Sequence, residues 1–222
     1  MISNGDCLQT GIGAVPSAIL ANLKNHSDLG FHGGLLDDAV MDLIELGVVN
    51  GSRKEIDRGE HIIGMALGSE KMLNWLAANR KAENVVFKSA NYTHDINIIS
   101  RLENFVSINS AVQVDLFGQV NAEMVGARQI SGTGGSVDFM RSASASRGGR
   151  SIVALTASAK DGKISKIVPK VDFVTALRTD VDTIVTEYGV AEIKNCSLEE
   201  RANKLIEIAD PLHREALRKS IN

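Results

Sequence analysis

The order of elements is what most limits the fold. Residues 7–16 read CLQTGIGAVP: a short strand, a turn carrying Gly11 and Gly13, then Pro16 at a first helical turn, with the helix running on through SAILANLK. A second helix is predicted over residues 37–46, where Asp37 or Asp38 can cap it, Val40, Leu43 and Ile44 share one face, and Gly47 stops it. Residues 69–80 form a third, with a serine cap and apolar Met72, Leu73 and Leu76; Val85, Val86 and Phe87 form a buried strand, and residues 95–101 a further helix. From Phe105 the texture turns to strands. VSINSAVQVDLFGQVNAEMVG reads as a hairpin or two short strands, and SIVALTA, KISKIV and DTIVTEYGV as more of the same. Ser197 and Glu200 then make a capping box ahead of ERANKLIEIA, and Asp210-Pro211 starts a last helix. Helices alternating with strands, followed by strands, define an α/β fold: an open, mostly parallel sheet flanked by helices, with an antiparallel, strand-rich extension.

Composition excludes several function classes. The 222 residues are 44% hydrophobic, enough for a packed core. A net charge of −3 and only 4% aromatics argue against nucleic-acid binding, whether by bulk charge or by base stacking. No apolar run approaches the roughly 18–20 residues that span a bilayer, so no membrane partner is expected. The N-terminus, MISNGDC, lacks the basic and apolar regions of a signal peptide. The two cysteines, Cys7 and Cys196, have the spacing of neither a metal site nor a disulfide framework, and a cytoplasmic protein without bound metal is expected.

Two glycine-rich loops are the candidate ligand-binding segments. Gly11, Ile12 and Gly13 lie between a strand and a helix N-terminus, where free N–H groups and the helix dipole favour an anion. A plain structural turn has the same spacing, and neither the Rossmann pattern nor a Walker lysine is present. The second loop, within residues 130–155, packs Gly132, Gly134 and Gly135 into four residues and adds Gly148-Gly149. Glycine has no side chain to pack and costs backbone entropy, so this run serves a tight turn or the close approach of a ligand to the backbone.

Taken with DLGFHGGLLDDAVMDLIELGVVN around His32, the segments SINSAVQVDLFGQVNAE, GTGGSVDFMR, KISKIVP, DVDTIVTEYGVAEI and ERA occur in an order that resembles the acetyl-CoA hydrolase/transferase family, which includes the 4-hydroxybutyrate and butyrate:acetate CoA-transferases. The resemblance runs from Gly5 to about Leu217 and implies the α/β CoA-transferase fold, with residues 1–222 as a single C-terminal-type domain and no N-terminal CoA-transferase domain. It implies acyl-CoA and a small carboxylic acid as substrates, no permanently bound cofactor, and a homo-oligomer or a complex with an N-terminal-type domain. In the family a His, then Ser or Thr, then a nucleophilic Glu opens a helix; the same frame here gives His32, Gly33, Gly34. An Asn that helps hold the thioester oxygen is replaced by His94 in NYTHD, and the stretch between Pro169 and Val174 is about three residues shorter than usual. By the same resemblance, Gly135, with Gly134 beside it, offers a backbone N–H to the thioester carbonyl oxygen, where negative charge develops during attack.

Glycine cannot form the acyl-glutamyl and glutamyl-CoA intermediates of the family's mechanism. Asp37 or Asp38 could substitute, although each also suits a helix cap. Water could attack with His32 or His94 as general base, in space opened by the glycine pair, or another chain could supply the nucleophile. Arg141, Arg147 and Arg150 could meet CoA phosphates or lie solvated; Trp75 reads as core or interface, and Glu187 and Tyr188 as structural. The expected function is CoA transfer to an acid, or thioester hydrolysis, by a route that bypasses residue 34. The rival is a non-catalytic CoA-binding or subunit-stabilising half-protein.

Overall fold

β1 (Cys7–Thr10) is the strand the sequence announces, and all four of its residues are buried. It pairs in parallel with β2 (Gly30–Phe31) on one side and with β7 (Phe105–Ser110) on the other. A computed structural model describes residues 1–78, 82 and 84–221. The chain divides into two compact units, one of residues 1–108 and 138–150, the other of residues 109–137 and 151–222.

In the first unit every strand pair among the described residues is parallel. β3 (Leu35–Leu36) pairs with β5 (Met65–Ala66), and β4 (His61–Ile63) with β6 (Val85–Phe87). Helix α1 (Ala14–Ala21) starts two residues ahead of Pro16, which sits inside its first turn, where a missing N–H costs nothing. α2 (Asp38–Glu45) is capped by Asp37, whose carboxylate accepts from the Val40 N–H at 3.0 Å. Gly47, at φ +73°, ends it in the left-handed region that glycine adopts without strain. Its buried face is Val40, Met41, Leu43 and Ile44.

α3 (Glu70–Ala78) is shorter than the predicted 69–80, and the end of that prediction, at Asn79 and Arg80, lies outside the described residues. The helix turns Met72 and Trp75 inward and leaves Leu73 exposed, because Trp75 is anchored by its indole N–H on Glu45 at 2.5 Å. Contrary to expectation, β6 is only partly buried, with Phe87 outward. The helix predicted at 95–101 is present as a single turn, α5 (Ile96–Ile99), capped by Asp95, and a separate turn, α4 (Ala90–Thr93), precedes it. α6 (Ser136–Ala145) contributes Phe139 and Ala143 to a core with Cys7, Ile99, Leu102 and Phe105.

Antiparallel pairing is confined to the second unit among the described residues. β8 (Gln113–Asp115) and β9 (Val120–Asn121) form a hairpin, β10 (Met124–Val125) pairs with β11 (Arg128–Gln129), and β12 (Arg150–Ala154) runs parallel to β16 (Thr183–Thr186). β13 (Ser158–Ala159) pairs antiparallel with β14 (Ile164–Ser165), and β15 (Ile167–Val168) parallel with β8. β16 turns into β17 (Gly189–Glu192). The predicted open, mostly parallel sheet flanked by helices, with an antiparallel extension, is therefore the observed architecture. α7 (Leu198–Glu207) begins with the Ser197–Glu200 capping box. α8 (Arg214–Lys219) starts later than Asp210-Pro211, because Asp210 first closes a turn by accepting from the Leu212 N–H.

Arg201 on α7 ties the second unit together. Its guanidinium donates to the carbonyls of Phe117, Arg178 and Ile193 at 2.9, 2.9 and 3.1 Å, and only glycine at 118 leaves room for it. Removing it would leave three carbonyls unmet in a buried place. Arg201→Ala should lower unfolding free energy by about 3 kcal/mol, read as a lower urea midpoint, and Arg201→Lys should recover little because one ammonium cannot reach all three.

Candidate active site

The segment after β2 fixes the site's backbone. His32 N–H donates to Leu8 and Gly33 N–H to Ile62, so the chain lies between two parallel strands. The carbonyl of Gly34 accepts from both Gly64 and Met65, at 3.2 and 3.0 Å. A Cβ on Gly64 would sit 3.0 Å from that oxygen, so a glycine there permits the approach.

Gly34 is half-buried, and what faces it decides the site's chemistry. A Cβ at residue 34 would lie 3.1 Å from both Cε1 and Nε2 of His94 and 3.6 Å from Phe139. A side chain at 34 would therefore crowd the imidazole, which would have to give by a few tenths of an ångström. His94 closes α4, its N–H bonded to Ala90, and its ring packs on Phe139 with centroids 4.5 Å apart. Its Nδ1 lies 2.7 Å from the hydroxyl of Thr93, a fully buried residue.

His32 sits deeper, with no solvent exposure. Its ring is stacked 6.1 Å from Tyr92 and edge-on to Phe105, and neither ring nitrogen has a hydrogen-bond partner of good geometry. Burial, reinforced by the nearby Lys54 ammonium, depresses its pKa to about 4. His61, also buried, is depressed to about 4 by the same two causes. Lys54 lies in this layer, its ammonium donating to the carbonyls of Glu60 and Phe31 at 2.8 and 3.4 Å, and burial lowers its pKa as well. Cys7, beside it, is pushed up to about 12 by burial. Tyr92 donates to both carboxylate oxygens of Asp57.

The carboxylates proposed as substitutes are occupied. Asp37 caps α2 and accepts from Ser17, and Asp38 accepts from the backbone and hydroxyl of Ser69. Arg147 and Arg150 are spent on ion pairs with Glu103 and Asp6, inside the first unit. In the first glycine loop, Gly11 N–H is taken by Ile108, Ile12 is exposed, and Gly13, at φ +125°, precedes α1. The second loop belongs to the second unit. Gly132 and Gly134 have nothing within 4 Å of where a Cβ would be, Gly134 adopts φ +55°, and Gly135 directly precedes α6. Thr93, Gly64 and Phe139 were missed by sequence reasoning; Thr93 is the residue before His94 in NYTHD, but adjacency in sequence did not announce a hydrogen bond. Among the described residues no group of three or more His, Cys, Asp or Glu could hold a metal ion, and no helix is long and apolar enough to cross a membrane.

Residues 68–221 match the profile of the acetyl-CoA hydrolase/transferase C-terminal domain, and the chain belongs to that family. It is 44% identical over 220 residues to a 4-hydroxybutyrate coenzyme A transferase of Clostridium kluyveri, covering 98% of this chain and 51% of the relative. A butyryl-CoA:acetate CoA-transferase of Anaerostipes caccae is 41% identical, with 97% and 50% covered. Among solved structures, RipA from Yersinia pestis superposes with a TM-score of 0.93 at 40% identity, covering 98% of this chain and 49% of that one. The chain spans about half the length of the curated relatives it matches.

The buried histidines make stability depend on pH. Their folded pKa values lie below the ordinary histidine value of 6.5, so the unfolded chain binds more protons between pH 6.5 and 4. Stability is fully present above pH 6.5 and falls as pH drops through that window. Between pH 7 and 5 the loss should be about 2 kcal/mol for each histidine, measured as a fall in the urea midpoint.

Proposed function

We propose that this chain handles short acyl-CoA thioesters, transferring CoA to a carboxylic acid or hydrolysing the thioester, without a covalent intermediate at residue 34. Its membership of the acetyl-CoA hydrolase/transferase family supports the ligand class. The observation that carries the mechanistic part is the imidazole of His94 at 3.1 Å from where a side chain on Gly34 would begin.

In this reading CoA is a substrate and not a resident cofactor. On the first unit the loop of Gly11, Ile12 and Gly13 is the backbone surface for phosphates; for the loop of Gly132, Gly134 and Gly135, on the second unit, the family resemblance implies contact with the thioester, Gly135 donating to its carbonyl oxygen. His94 is the group beside the reacting centre, next to Gly34. His32, sealed in the layer below and held neutral, acts at most through its neighbours. The remaining half of the relatives' length corresponds to a partner domain or subunit, and a second copy of this chain is the other candidate partner. Two free cysteines, Cys7 buried and Cys196 half-buried, fit a reducing, cytoplasmic setting. A second reading draws on the occupied carboxylates: Asp37 and Asp38 are both committed to helix starts, which leaves a CoA-binding half-protein without turnover.

Incubating the purified chain with short acyl-CoAs, with and without isotopically labelled acetate, separates these by mass spectrometry. Labelled acetyl-CoA identifies transfer, and free CoA without acceptor identifies hydrolysis. The peptide of residues 28–50 should stay unmodified throughout. An acyl or CoA adduct on it would overturn the proposed route, and silence across the panel would leave the binding-protein reading in its place.

A further inference from the structure

Resting on the acyl-CoA reading, we propose that His94 is a water-activating base, that Thr93 is the residue that positions it, and that the reaction is therefore hydrolysis. Three observations meet at this point. The ring lies against Gly34, with Nε2 3.1 Å from where Cβ would be. It packs against Phe139, with centroids 4.5 Å apart and planes tilted by 40°. Its other nitrogen is held at 2.7 Å by a hydroxyl that has no solvent exposure. A half-buried imidazole with one nitrogen tied and the ring plane fixed is an oriented base.

The hydroxyl of Thr93 can take either role toward Nδ1. In the proposed arrangement it accepts from Nδ1–H, which leaves the lone pair on Nε2. Among the described residues Nε2 has no hydrogen-bond partner, so it is free to take a proton. The choice of reaction follows from what a base is for. An acceptor carboxylate is already an anion near neutral pH and needs no deprotonation, whereas water is a poor nucleophile until a proton is removed. Nε2 takes a proton from water as the water oxygen bonds to the thioester carbonyl carbon and the carbonyl pair moves to its oxygen. When that pair returns, the C–S bond breaks and the thiolate recovers the proton from Nε2. The products are free CoA thiol and a carboxylic acid, with nothing left on the protein. Gly34 is required in this scheme, since any side chain there would press on the imidazole.

The test follows thiol release from acetyl-CoA and butyryl-CoA by the full chain, alongside calorimetric binding of a non-hydrolysable thioether analogue of acetyl-CoA. His94→Asn and His94→Gln should each lower kcat about 100-fold or more with KM and analogue affinity unchanged. Thr93→Val should lower kcat by a smaller factor at constant KM, and Thr93→Ser should restore it. Nitrogen NMR of His94 should show Nδ1 protonated in the parent and a tautomer mixture in Thr93→Val, a signature that a merely structural threonine would not move. Analogue binding without thiol release, or full kcat in both His94 variants, would overturn the inference and leave the acyl-CoA reading standing. Failure to bind the analogue would remove that reading, and the inference with it.

Discussion

A Cβ on Gly34 would fall 3.1 Å from the His94 ring and 3.6 Å from Phe139. That closeness governs the site. Interiors are packed near the density of organic crystals, so a group at 34 and an imidazole at 94 cannot both be accommodated without moving one of them. The backbone around Gly34 has little freedom to make way, because its carbonyl is bonded by two consecutive N–H groups and Gly64 approaches within 3.2 Å. The pair Gly34 and His94 is therefore one feature: glycine bears no side chain, and the ring of the histidine at the end of a one-turn helix lies close against it.

Below this contact lies a layer that carries little charge for the number of titratable groups in it. His32 and His61 are held neutral by burial, Cys7 stays a thiol, and only Lys54 brings a cation, satisfied by two carbonyls. A charge on either histidine would meet the Lys54 ammonium in a medium that screens poorly. These groups thus form a buried floor beside the segment that carries Gly34. Lys54 itself packs against the bare face of Gly30, where a Cβ would fall 2.8 Å from its Cγ, so glycines on β2 and in the segment that follows it make both the floor and the site possible.

Local sequence made much of the fold legible. Caps and stops at Asp37, Gly47, Ser197 and Glu200 act within one turn, and the structure has them as read. Less legible were features set at a distance. Leu73 belongs to an apolar pattern, yet it is exposed because the Trp75 bond to Glu45, thirty residues away, rotates the helix. The 95–101 helix is present but shortened to Ile96–Ile99 behind its Asp95 cap, and the turn Ala90–Thr93 that ends at His94 went unread. The site divides the same way. Gly34 and His94 stood out as departures from a family pattern, but their contact joins segments sixty residues apart, and no spacing rule pairs them. Arg147 and Arg150 drew attention as anion contacts, but both are committed to ion pairs with Glu103 and Asp6.

In the proposed reading, the absence of a nucleophile at 34 and a thioester-activating role for the glycine loops are separable in physical terms. A backbone N–H aimed at a thioester oxygen lowers the barrier for any attacking group, because the charge it stabilises is the same for carboxylate and for water. The identity of the attacker is set elsewhere, by what stands beside the carbonyl carbon. A glutamate there attacks by itself and must be regenerated; an imidazole there does not become bonded to the acyl group when it works as a base, so no regenerating acceptor is required. Exchanging one for the other changes the partner substrate from an acid to water while leaving the demands on the glycine loops unaltered. In this chain that exchange would involve two positions, 34 and 94, with the His94 ring 3.1 Å from where a Cβ on Gly34 would be.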